Sequence, residues 1–410
     1  MARSQNKHQH SQHNLRSVIF SGILTVLFCS VFLLTVIPIL SPATGADMAD
    51  ILRATIGPAP VAELESISFR LQDEFNQLRS QVTGRQSQIA WLSQPQSRVK
   101  PSERRPARPV GAIQNTTVLQ SAPRIQGDPG STSNVVSDAP QIGWQAYGSN
   151  VNGYPAMARA LVMLDPQRSY TGIALVRIDL SKLDLHIMPG YQEPAHPLQI
   201  VQAIPELGMV PPAEQSHLIA AFNGGFKRVH GHYGMMVNGI TLLQPQDGLA
   251  TVALYQDGKV KIGTWGIDIN STPELTAFRQ NCPPLIEAGK VNPSLYLDNR
   301  SAWGYTDNSD ITWRTGLGIT QDGHYLIYAV GNGTSAATLA EALNQAGAYM
   351  AMQLDINQYY AHFNTYQPAS DPNTSPVYQV TGERLLNEMI NNPHLYLTPY
   401  PRDFFYLTTR

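Results

Sequence analysis

Three short segments bring glycine and polar residues to the end of apolar runs: Phe222-Asn-Gly-Gly-Phe-Lys227, Thr312-Trp-Arg-Thr-Gly-Leu-Gly318 and Met352-Gln-Leu-Asp355-Ile-Asn357. Arg314 interrupts an otherwise neutral stretch. A guanidinium in such a setting needs an anion, because burying an unpaired charge is costly. Its planar fork suits a carboxylate or a phosphate. The plainer role is an internal ion pair with an acid such as Asp355, and the two roles can coexist. Asp355 ends an apolar run and is a candidate general acid, general base or electrostatic stabiliser. Its plainer role is to cap a turn at a strand end. Asn223-Gly224-Gly225 would permit close backbone approach and offer free N–H groups to an oxyanion. His230 and His232 are two apart, so on a strand both rings would share one face and could hold a metal or a phosphate. No third ligand stands at a telling spacing, so no metal is assigned. Lys227 adds positive charge beside them. Asn357 and His362, with Tyr360, are further candidates near Asp355. No Walker loop, dinucleotide fingerprint, Gly-x-Ser-x-Gly elbow or His-Glu-x-x-His motif is present, and no cofactor is implied.

The elements that must position these groups are legible in part. Thr171–Leu180 alternates as a strand, and Leu183–Met188 is expected to pair with it. Leu218–Phe222 reads as a buried strand. Asn238-Gly239, Asp257-Gly258 and Asp322-Gly323 mark three hairpins, each with a glycine for a type I′ turn. Ser335 should cap a helix with an apolar stripe at Leu339, Leu343 and Ala346, ended by Gly347. That helix leads into a buried strand over Ala348–Asp355. A second helix is expected over Glu383–Asn391. The class is α+β, with mixed β-sheets and a few flanking helices in one globular domain over residues 141–410.

The front of the chain is different. Only 14% of the 410 residues are charged, and the formal net charge is −2. That balance argues against a nucleic-acid binder. Residues 18–40 carry no charge and are long enough to span a bilayer as a helix. Arg3, Lys7 and Arg16 precede them, so residues 1–17 are expected in the cytoplasm and the remainder outside the cell or inner membrane. A cleaved signal peptide is the rival, but its apolar core would be shorter. Within residues 41–93, Val61, Phe75, Val82 and Ile89 share one heptad position, and Leu64, Leu71, Leu78 and Leu92 share its partner. This stretch is either a short coiled coil joining copies of the chain over residues 61–92, or an amphipathic helix on the domain or the lipid. Residues 94–140 hold no aromatic residue and read as a flexible tether.

The ordered set of motifs resembles the phosphodiester glycosidase family over roughly residues 160–410. The likeness rests on Ala221-Phe-Asn-Gly-Gly-Phe226 with Gly234-Met-Met-Val-Asn-Gly239, on Arg314-Thr-Gly-Leu-Gly-Ile319 with Asp322-Gly323, and on Thr338-Leu-Ala-Glu341 with Leu354-Asp355. The resemblance implies cleavage of a sugar 1-phosphodiester in an envelope glycan or exopolysaccharide. In that scheme Arg314, Asn223 and the Gly224 and Gly225 amides would hold the phosphate. Asp355 would stabilise the sugar cation or activate water, and His232 would relay a proton. Lys227, His230, Asn357 and His362 would line the substrate site. The family usually continues Leu-Asp-Gly-Gly-Gly-Ser, whereas Ile356-Asn-Gln-Tyr359 follows Asp355 here. Isoleucine does not readily take positive φ, so this loop must differ. The rival function is a non-catalytic glycan or wall-polymer binding module on a membrane tether. A structural role through the heptad helix is a third.

Overall fold

The structure, a computed structural model, describes residues 42–84, 142–194, 202–204, 206–297, 309–368 and 380–410. The expected tail, membrane anchor and tether lie outside these residues. Among the described residues no helix is long and apolar enough to cross a membrane. The described residues belong to one compact unit.

The first described elements form a helical hairpin. Helix α1 (Pro42–Ile56) stops at Gly57, whose φ of 89° suits a residue without Cβ, and Pro58 opens helix α2 (Pro58–Thr83). Ala49 and Val61 pack against each other inside the hairpin. The helix expected to run to residue 92 ends earlier among the described residues, at a left-handed Gly84.

The domain contains three sheets, and every ladder between their strands is antiparallel among the described residues. The largest has eight strands, in the order Gln145–Val151, Tyr154–Val162, Ile173–Asp179, Tyr325–Thr334, Thr312–Ile319, Met350–Gln353, Ile286–Glu287 and Lys290–Val291. A five-stranded sheet runs Val380–Arg384, Phe363–Pro368, Leu218–Asn223, Phe404–Thr409, Leu183–Met188. The third runs Ile240–Leu243, Met235–Val237, Leu275–Gln280, Ala250–Tyr255, Val260–Thr264. The α+β class expected from the sequence is what these elements form.

Period-two alternation gives the large sheet two apolar faces. Ile327 and Ala329 face helix α3 (Ala336–Gln345), where they join Leu339 and Leu343 in the main core. Tyr328, between them in sequence, faces the five-stranded sheet and packs on Phe222 and Phe363 at 5.2 and 5.0 Å between ring centroids. Gly316 and Gly318 let α3 and Ala348 lie close: a Cβ on Gly318 would stand 2.7 Å from that of Ala348. Ser335 caps α3 as expected, its hydroxyl accepting the Thr338 N–H at 3.1 Å.

Several expectations are corrected. Leu183–Met188 pairs with Phe404–Thr409, not with Ile173–Asp179. The turn at Asp179, whose side chain accepts the Ser181 N–H, carries the chain from one sheet to another. The expected helix at Glu383–Asn391 is instead the end of an edge strand followed by turns, because Glu383 and Arg384 pair with Thr365 and Asn364. All three hairpins form. Only Asn238-Gly239 has positive φ at both residues, 51° and 75°; the other two rely on Gly258 and Gly323 alone.

Candidate active site

The candidate residues gather where the ends of the three sheets meet. Asp355 lies just beyond the strand Met350–Gln353. Its N–H donates to the Gly224 carbonyl at 3.1 Å, and its carbonyl accepts the Thr315 hydroxyl at 2.6 Å. Its position is therefore fixed by both neighbouring sheets. Oδ1 accepts the Asn357 N–H at 2.9 Å, and Oδ2 accepts the Arg402 guanidinium at 2.7 Å. Both side chains of this pair are nearly out of water, at 5% and 7% exposed. Such burial is tolerable only because each charge meets the other.

Arg402 also donates to the Gly225 carbonyl at 2.9 Å and lies 4.3 Å from the Tyr360 ring centroid. Its Nε is buried with no hydrogen-bond partner among the described residues. Burial disfavours its charge, but Asp355 and Asp403 outweigh that and hold its pKa above the usual arginine range. Lys227 approaches the same ring, with Nζ 5.6 Å from the Tyr360 centroid. Two cations thus share one aromatic ring beside one carboxylate.

Helix α1 covers this corner. Asp50 forms an ion pair with Lys227 and a 3.0 Å pair with Arg53, and lies 3.9 Å from His230 Nε2. Burial pushes the Asp50 carboxyl up, yet Lys227 and Arg53 together hold it below the usual carboxylate range. His230 shifts the other way. Burial, then the cations Arg53 and Arg402, push it down to about 3, against the pull of Asp50. It is neutral at pH 7, and its Nε2 has no hydrogen-bond partner among the described residues.

Other expected site residues are engaged otherwise than the sequence suggests. Arg314 is fully buried and does not meet Asp355. It donates to the Gln353 side-chain oxygen at 2.8 Å and to the carbonyls of Asp310 and Thr334. The guanidinium that meets Asp355 is Arg402. Asn223 is saturated by Tyr328, Thr315, the Gly224 carbonyl and the His362 N–H. The Gly224 and Gly225 amides are not free, since they donate to the Asp403 carbonyl and carboxylate at 3.1 Å each. Asp403 in turn pairs with Arg279 at 2.8 Å, both side chains 2% exposed. A Cβ on Gly224 would stand 2.0 Å from Asp403 Oδ2, so the glycine is required by this close wrap. His230 ends a 3-10 turn (Arg228–His230) and His232 is left-handed and exposed, so the two do not share a strand face. His362 is buried, with Nε2 2.6 Å from both the Tyr359 carbonyl and the Asn391 amide. Burial lowers its pKa to about 4. The Asn357 side chain accepts the Tyr359 N–H and shapes the loop after Asp355, which takes no positive φ.

Among the described residues no group of three or more His, Cys, Asp or Glu side chains is arranged to hold a metal ion. A cavity of about 310 Å³ lies between the last turns of α2 and Gln167–Tyr170, and none of the candidate residues lines it. Arg402, Asp403, Arg279 and Asp50 were missed in the sequence. The Arg402-Asp403 dipeptide, opening the aromatic strand Phe404–Thr409, was the available signal.

Residues 216–355 match the family model of the phosphodiester glycosidases. That span starts beside the strand Leu218–Asn223 and closes on Asp355. Among solved structures, the chain is similar to the catalytic domain of zebrafish N-acetylglucosamine-1-phosphodiester alpha-N-acetylglucosaminidase, auto-inhibited by its pro-peptide. The identity is 16% and the TM-score 0.38, over 66% of this chain and 88% of that one. It is also similar to a hypothetical protein from Synechocystis, at 11% identity and TM-score 0.33, over 67% of this chain and 64% of that one. No curated protein matches it. The resemblance carried by the three motifs therefore stands: over residues 216–355 this chain is phosphodiester glycosidase-like.

Proposed function

We propose that this chain is a membrane-anchored, extracytoplasmic hydrolase that cleaves a sugar 1-phosphodiester in an envelope glycan or exopolysaccharide. The observation that carries this is the buried Asp355–Arg402 pair, with Lys227 sharing the Tyr360 ring. Water would add to the anomeric carbon while the bond from that carbon to the phosphate oxygen breaks. The phosphomonoester departs with the electron pair, and the sugar keeps the hydroxyl. Arg402 and Lys227 supply positive charge for the departing phosphate. Asp355 stabilises the developing sugar cation or takes the proton from water. Arg314 acts one layer back, holding Gln353 and through it the strand that ends at Asp355. His230 is neutral at pH 7 and lends hydrogen-bonding capacity rather than charge. Substrate enters when Asp50 withdraws from Lys227. The anchor and the orientation rest on residues 18–40 and the basic residues before them.

The test is to incubate the full chain with a sugar 1-phosphodiester and measure reducing sugar and phosphomonoester. Equal release of both, abolished in Asp355→Asn and Arg402→Met variants that still fold, is expected. Full activity in either variant discards the assigned roles. One observation favours a glycan-binding module instead: both Asp355 oxygens are already engaged. Saturable glycan binding with no turnover would select that reading.

A further inference from the structure

Helix α2 rests on the domain by its polar side. Ser66 donates to Asp310 at 2.9 Å, Asp73 pairs with Arg168 at 2.6 Å and accepts the Tyr170 hydroxyl at 3.1 Å, and Gln77 donates to Asp73. The opposite side carries Leu71, Phe75, Leu78 and Val82, exposed at 48, 63, 60 and 84%. An amphipathic helix normally does the reverse, turning its apolar stripe inward. Leu71 and Leu78 stand seven residues apart, as do Phe75 and Val82, and the two pairs alternate at gaps of four and three, the a/d pattern of a heptad seam.

We propose that this stripe is the seam of a parallel two-stranded coiled coil with a second copy of this chain. Phe75 and Val82 take the a positions, and Leu71 and Leu78 the d positions. Glu74 then falls at g and Arg79 at e, both exposed. In a parallel pair a g residue meets the e residue five positions on in the partner, so Glu74 of each copy faces Arg79 of the other. An antiparallel pair loses both matches. A lipid surface is the weaker occupant, because a membrane-lying helix favours a basic polar face and the flanks Gln72, Glu74, Arg79 and Gln81 carry no net charge. The polar anchors on the far side of α2 remain in place when the seam pairs, so dimerisation leaves the hairpin on the domain. The proposal is independent of the enzymatic reading.

The test uses the full chain in detergent, with Cys29→Ser so that the buried Cys282 is the only native thiol. Single cysteines replace Leu71, Phe75, Leu78 and Val82, and Gln77 and Ser80 serve as controls. After mild oxidation the four seam positions should give disulfide-linked dimers and the two controls none. In the cysteine-free seam, Phe75→Glu should weaken association at least tenfold by sedimentation equilibrium with an unchanged circular dichroism spectrum. Glu74→Arg and Arg79→Glu should each weaken it, and the double exchange should restore it. Cross-linking without the heptad pattern, no cross-linking at any position, or vesicle binding by a monomer would each overturn the proposal.

Discussion

Replacing Arg402 by methionine keeps the apolar stem and removes the charged fork. Asp355 would then keep one hydrogen bond, from the Asn357 N–H. With a charge separation of about 4 Å and an effective dielectric constant of about 20, Coulomb's law gives about 4 kcal/mol for the lost attraction. That agrees with about 3–5 kcal/mol for removing one partner of a buried pair. Asp355→Asn should cost less, about 2 kcal/mol, because its amide oxygen still accepts from Arg402. If the mutual charge dominates, the double variant Arg402→Met/Asp355→Asn loses about 2 kcal/mol less than the two single losses combined. Urea unfolding at pH 7, followed by tryptophan fluorescence, gives all three values. A loss below about 1 kcal/mol for Arg402→Met, or strict additivity in the double variant, would refute the account of the site as a charge pair held out of water.

Asp50→Ala should release Lys227 at a stability cost of at most about 1 kcal/mol, since that pair is partly exposed, and should raise turnover of a sugar 1-phosphodiester severalfold. Gly224→Ala should cost at least about 2 kcal/mol in urea unfolding, because its Cβ must displace Asp403. His362 has a folded pKa of about 4, below its unfolded value of about 6.5, so the unfolded chain binds the proton first as pH falls. Stability is therefore full above about pH 6.5 and falls towards pH 4, by about 1.4 kcal/mol per unit, and His362→Gln should flatten that slope between pH 6.5 and 4. Ser335→Ala should cost about 1 kcal/mol by removing the cap of α3, read as a lower urea midpoint.

What the sequence revealed was local. Asn238-Gly239 declared its turn, Ser335 its cap, and the apolar run before Asp355 its strand, because each is decided within a few residues. The partner of Asp355 was hidden, since Arg402 stands 47 residues away and an Arg-Asp dipeptide after a proline reads as an exposed turn. Arg314 looked functional for a sound reason, as a buried guanidinium does need acceptors; the Thr334 and Asp310 carbonyls and the Gln353 side-chain oxygen are among those it meets, and Asp355 is not. The glycines at 224 and 225 were correctly read as a close approach, but what approaches is Asp403 of the same chain. A helix is expected over Glu383–Asn391, and pairing of Glu383 and Arg384 with Thr365 and Asn364 overrides it.

The strand Phe404–Thr409 lies between Leu218–Asn223 and Leu183–Met188. Until it emerges from the ribosome, those two strands keep open hydrogen-bonding edges on either side of a gap, a state prone to pairing with other chains. The same late segment delivers Arg402 and Asp403. Biogenesis and competence are thereby joined: a nascent chain halted before this strand has neither a closed sheet nor counter-charges for Asp355 and Arg279, so truncated products should be cleared as misfolded rather than persist as inert copies.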